Sequence, residues 1–111
     1  PLHRAAAQSD TFPNRPVRLV VPWAPGGASD VLGRLVARKL TDQLGQQVVV
    51  DNRAGAGGTV GMQHVARAQP DGYVIVQGTS STIGLTPVLM NPEPFDGTKD
   101  FAAIAFVADD T

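Results

Sequence analysis

Apolar residues follow two alternating rhythms along the chain. Val17-Arg18-Leu19-Val20-Val21, Val48-Val49-Val50 and Tyr73-Val74-Ile75-Val76 are short runs rich in β-branched residues. Each leads into a cluster of breakers: Pro22-Trp23-Ala24-Pro25-Gly26-Gly27, Asp51-Asn52-Arg53-Ala54-Gly55-Ala56-Gly57-Gly58, and Gly78-Thr79-Ser80-Ser81-Thr82. Buried strands that end in tight loops produce this pattern. Between the first two runs, Val31, Leu32, Leu35, Val36, Leu40 and Leu44 recur in steps of three and four, which predicts a helix with these residues facing inward. Arg34, Arg38 and Asp42 take its other side, Ser29 or Asp30 is placed to cap it, and Gly45 to end it. A second helix is predicted from a Thr59 cap, with Val60 or Gly61, Val65 and Ala68 inward, stopped by Pro70 and the Asp71-Gly72 turn. A weaker helix follows around Ile83 to Met90, interrupted by Gly84 and Pro87. Asn91-Pro92-Glu93-Pro94 is irregular, and Phe101 to Val107 reads as a fourth strand.

The three strand starts, near residues 17, 47 and 73, are about thirty residues apart, the length of a βαβ unit. Valine and isoleucine runs without polar alternation imply strands covered on both faces. The expected class is therefore α/β, a mostly parallel sheet with flanking helices. Right-handed crossovers bring all three exit loops to the carboxyl edge, where open α/β sheets bind ligands.

Composition narrows the functions available. The chain has 111 residues, 9 Lys+Arg against 10 Asp+Glu and a net charge of -1, without the basic stripe of a nucleic-acid binder. It holds no cysteine, which excludes disulfides, zinc ribbons and thiol nucleophiles. His3 and His64 are too few for a multi-histidine metal site. No apolar run is long enough to span a membrane. A chain of this size builds one small core but is short for a two-domain clamp. The Arg4-Ala5-Ala6-Ala7 stretch resembles the end of an export signal or reads as a plain disordered tail.

The first two loops share a design. Gly26-Gly27 and Gly57-Gly58 each stand just before a predicted helix, where glycine lets the backbone approach a ligand and free amides favour anions. Glycines that merely make sharp turns give the same signature once; its repetition on one edge points to a site. Reactive motifs are missing. Gly55 and Gly57 are followed by Val60 where a dinucleotide fingerprint needs a third glycine, and Gly27 is followed by Ala28-Ser29 and not by the Lys of a Walker loop. Gly78-Thr79-Ser80-Ser81 ends in Thr82 where a nucleophile elbow needs glycine. Asp30 has no paired acid, His64 reads as solvated, and Trp23 either packs the domain or walls a pocket. The edge binds something small and anionic and has no chemistry to change it.

The string Arg15-Pro16-Val17-Arg18-Leu19-Val20-Val21-Pro22-Trp23-Ala24-Pro25-Gly26-Gly27-Ala28-Ser29-Asp30 resembles the opening of the Bug-type periplasmic solute receptors, the substrate-binding components of tripartite tricarboxylate transporters. The resemblance continues through Leu44 to Gly58 and Pro70-Asp71-Gly72-Tyr73, and ends near Asp100-Phe101. It implies a two-lobed Venus flytrap fold. Residues 12–100 then form part of lobe one, residues 101–111 a strand near the crossover to lobe two, and residues 1–11 a disordered tail or signal-peptide remnant. It also implies a monomeric periplasmic receptor, not an enzyme, which needs no cofactor or metal and hands a di- or tricarboxylate or related organic acid to membrane transporter components.

Carried over position by position, the resemblance places the ligand at Pro25, Gly26, Gly27 and Asp30, with Ser29 and Trp23 beside them. Gly57, Gly58 and Thr59 of the second loop and Thr79 and Ser80 of the third become pocket walls. Family members often have Phe or Tyr where Trp23 stands and Pro where Ala24 stands, which leaves the ligand unassigned. The alternatives are a fragment of a nucleotide- or phosphate-binding α/β enzyme and a stand-alone lobe with an interaction role. A lone lobe is expected to be marginally stable because its sheet edge is unpaired.

Overall fold

The computed structural model describes residues 11–108. The expected tail at residues 1–11 lies, apart from Thr11, outside the described residues. Strands β1 (Val17–Val21), β2 (Val48–Asn52) and β3 (Val74–Val76) form one parallel sheet in the order β2-β1-β3. Helix α1 (Ala28–Leu44) joins β1 to β2. A 3-10 turn at Ala56–Gly58 and helix α2 (Thr59–Ala66) join β2 to β3. After β3, a π-helical turn at Ser81–Leu85 runs into the short helix α3 (Thr86–Leu89). The architecture is the α/β one the pattern predicts, and all three exit loops lie at the carboxyl edge of a parallel sheet.

Alternation along β1 assigns its two faces. Val17, Leu19 and Val21 pack with Ala37 of α1 and Val48 of β2 in the buried core. Val20 and Met62 of α2, both fully buried, fill the opposite face. Each of the valine, leucine and methionine side chains contributes roughly 1.5–3 kcal/mol on burial. The inward face of α1 matches the sequence expectation at Val36, Leu40 and Leu44, which pack against the core, and differs from it nearer the helix start. Val31 and Leu35 are 62% and 56% exposed, while Asp30, Gly33 and Ala37 are buried. Small residues win the contact because the helix rides close on the sheet. A Cβ on Gly33 would stand 2.7 Å from Val21 Cγ2. Gly45 ends α1 in the left-handed conformation, φ 73°, as its position predicts.

Two further expectations are corrected. Phe101 to Val107 is not a strand; it runs as irregular chain beside an open cleft bordered by α2 and β3. Its anchor is upstream, where Phe95 is buried and meets Phe101 edge-on with ring centroids 5.4 Å apart. The expected cover on both faces holds at β1, where Val20 and Met62 are buried, and fails at β2, where Val49 is exposed and Arg18 and Asp51 share its side of the sheet.

Candidate functional site

The first loop is closed by its own helix. Gly27, not Ser29 or Asp30, is the N-cap of α1, and it makes no side-chain cap. Asp30 sits in the first turn, 4% exposed, with its carboxylate turned inward. That carboxylate accepts the Gly26 amide at 3.0 Å, Asn52 Nδ2 at 2.9 Å and Arg34 Nε at 3.0 Å. These bonds lower its pKa from 3.8 to about 2, the Gly26 amide acting most strongly, then Asn52, then Arg34. Asp30 therefore braces the loop from beneath, because its oxygens are already committed to protein groups. The Gly26 amide is likewise committed to Asp30. The amides of Gly27, Ala28 and Ser29 have no acceptor among the described residues, as the opening turn of a helix leaves them. Pro25, Gly26 and Gly27 are exposed on the rim.

Glycine matters at Gly26, where φ is +96°, and at Gly58, where φ is +97°. A Cβ on Gly58 would lie 2.7 Å from Thr82 Cγ2 and 3.6 Å from the Trp23 ring. The second loop thus touches both the first and the third at this point. Trp23 is half-buried there, packing against Gly58 with part of its ring open.

Two other candidates have engaged side chains, one of them buried and the other exposed. Thr59 is the first residue of α2 and not its cap; it is buried, with its hydroxyl 3.6 Å from Met90 Sδ. Thr79 spends its side chain locally: its Oγ1 accepts the Thr82 amide at 3.2 Å, while the Thr79 amide donates to Thr82 Oγ1 at 2.8 Å. Ser80 and Gly57 are exposed at the same edge. The outward-facing candidates are therefore Trp23, Pro25, Gly26, Gly27, Gly57, Thr79 and Ser80, with the Ser29 amide; Asp30, Gly58 and Thr59 are buried beneath them.

The sequence reading passed over Asn52 and Gln77. Gln77 follows an apolar strand run directly and Asn52 follows one after Asp51, and a carboxamide there is the one signal they give. It also misjudged His64. Arg18, which can only donate, lies 2.7 Å from His64 Nε2, so the imidazole is neutral with its proton on Nδ1. Desolvation chiefly, then Arg53 and Arg18, lowers the pKa of this histidine. Asp51 pairs with both Arg18 and Arg53, at 3.2 and 3.0 Å. His64 thus locks α2 to β1 and is not merely solvated. The described residues hold no cluster of three or more metal-ligating side chains, and none of their helices is long and apolar enough to cross a membrane.

Comparison with known proteins places this geometry. The family model for the tripartite tricarboxylate transporter family receptor matches residues 32–111. Protein BugT of Bordetella pertussis is 43% identical over 108 residues, 95% of this chain and 32% of BugT. Among solved structures, MatC from Rhodopseudomonas palustris with bound malate superposes with a TM-score of 0.82 at 38% identity, covering 86% of this chain and 33% of MatC. Another R. palustris protein, with adipate, gives a TM-score of 0.73 at 35% identity, covering 79% of this chain and 29% of its own. The chain thus spans about a third of the length of these proteins.

Proposed function

Because the chain belongs to the tripartite tricarboxylate transporter receptor family, we propose that it forms the ligand-gripping rim of a periplasmic receptor that captures a small dicarboxylate and leaves it chemically unchanged. The observation that carries this reading is the set of free amides at Gly27, Ala28 and Ser29, standing over an acid that is already neutralised. A bare carboxylate at Asp30 would repel an incoming anion. Here Arg34 balances its charge, and three donors occupy its oxygens. What remains facing outward is the positive end of α1, which suits an anion.

Relatives of the same fold hold malate and adipate, and both are compatible with backbone amides that grip one carboxylate group. A second lobe closing over the rim would expel water and strengthen those hydrogen bonds. The closed form would then be recognised by membrane transporter components. Pro25, Gly26, Gly27, Ser29 and Trp23 line the near wall, with Gly57 and Ser80 beside it.

Trp23 is the one tryptophan, so its fluorescence reports on the rim. Titration with malate and with adipate is expected to change its emission, and titration with ATP to leave it unchanged. A response to ATP with none to either acid overturns the receptor function in favour of a nucleotide site.

A further inference from the structure

We propose that Asn52 and Gln77 are the positioning residues of the first loop, two carboxamides that together set where its free amides point. The sheet itself brings them together. Asn52 is the register partner of Val21, and Gln77 follows Val76, the partner of Val20. Gln77 also continues the ladder, its amide donating to the Val20 carbonyl at 3.0 Å. Each outer strand therefore places a carboxamide at the level of Val21, the last residue of β1, on the face covered by α1.

The two amides grip opposite ends of the loop. Asn52 Nδ2 donates to the Trp23 carbonyl at 3.0 Å and to Asp30 Oδ1 at 2.9 Å, while its Oδ1 accepts Arg34 NH2 at 3.2 Å. Gln77 Nε2 donates to the Ser29 carbonyl at 3.0 Å. One carboxamide thus fixes the entry to the loop and the other its exit into α1. The amides of Gly27, Ala28 and Ser29 lie between these fixed points.

Gln77 shows that more than stability is served. Its Oε1 is buried without a hydrogen-bond partner, which is unfavourable for a carbonyl. The absence of a side chain at Gly33 makes room for it, since a Cβ there would stand 2.9 Å from Oε1. A leucine would fill the same space without an orphaned acceptor. What the glutamine adds is its bond to Ser29.

The ligand effect rests on the carboxylate-capturing function, but the geometry exists without ligand, so the two are tested separately. Hydrogen exchange on the unliganded protein, as its gene encodes it, is expected to show the Gly26 amide exchanging about tenfold faster in Asn52→Ala, because Asp30 loses the donor that holds it. Malate titration is expected to show about tenfold weaker binding for Asn52→Ala and for Gln77→Leu, with the melting temperature of Gln77→Leu equal to or above that of the unaltered protein.

Asn52→Asp supplies a signature that a purely structural residue would not. Its carboxylate faces Asp30, so binding is weak at neutral pH and recovers in acid as the pair shares a proton. Unchanged Gly26 exchange in Asn52→Ala, or unchanged malate affinity in both Asn52→Ala and Gln77→Leu, overturns the proposal. If the unaltered protein binds neither malate nor adipate, the carboxylate function fails, and Gly26 exchange alone decides the positioning role.

Discussion

The amide of Gly26 donates to the carboxylate of Asp30 at 3.0 Å, so the first turn of α1 reaches back and closes the loop that precedes it. The rim therefore depends on an acid that faces away from it. Asp30→Ala is expected to lower the melting temperature and to weaken malate binding by about tenfold, the scale of one charge-assisted hydrogen bond. Thermal melts beside a binding titration check both.

The same acid sets a pH dependence. Its pKa is lowered to about 2 in the folded chain from 3.8 when free, so the unfolded chain takes up the proton first as pH falls. The stability due to Asp30 is fully present above pH 3.8 and declines as pH drops toward about 2, where it is lost. Melting curves between these limits should show a decline that is smaller in Asp30→Asn.

Glycines along the chain separate packing from access. A Cβ on Gly61 would come within 2.9 Å of the Arg53 carbonyl and of Pro22 Cα, both backbone atoms. Gly61→Ala is expected to destabilise the fold by about 1–3 kcal/mol through forced displacement of α2. Gly27 has no atom within 4 Å of a built Cβ and an ordinary φ of -81°. Gly27→Ala should leave stability within about 0.5 kcal/mol while crowding the rim and weakening malate binding. Denaturant melts and titration of both variants check the contrast.

His64 gives a second pH-dependent contribution. Its pKa lies below the ordinary 6.5 in the folded chain, chiefly from desolvation and then from Arg53 and Arg18. The unfolded chain again protonates first, so stability is greatest above pH 6.5 and falls as the pH drops below it. Asp51 opposes this only in part. His64→Gln is expected to flatten the dependence in melting experiments over mildly acid pH.

The order of elements and the glycine loops were legible in the sequence because valine runs, breakers and Gly45 act locally. The inward face of α1 was legible at Val36, Leu40 and Leu44 but not in its first turns. Periodicity favoured Val31 and Leu35, whereas the sheet accepted Gly33 and Ala37, because close approach outweighs side-chain size when two elements share little space. Phe101 to Val107 has strand composition, but composition cannot supply the neighbour that a strand must pair with. Asp30 was legible as important, but its inward turn was not, since charge at a helix start does not show which way the carboxylate points. Asn52 and Gln77 depend on strand register, and register emerges only when the strands are aligned.

Amide proton shifts on adding malate report on the gripping atoms themselves. With the protein as its gene encodes it, the signals of Gly27, Ala28 and Ser29 are expected to move downfield together and saturate with one affinity, while Gly26, already bonded to Asp30, moves less. Saturable malate binding that leaves all three unmoved is incompatible with an anion held on the opening turn of α1.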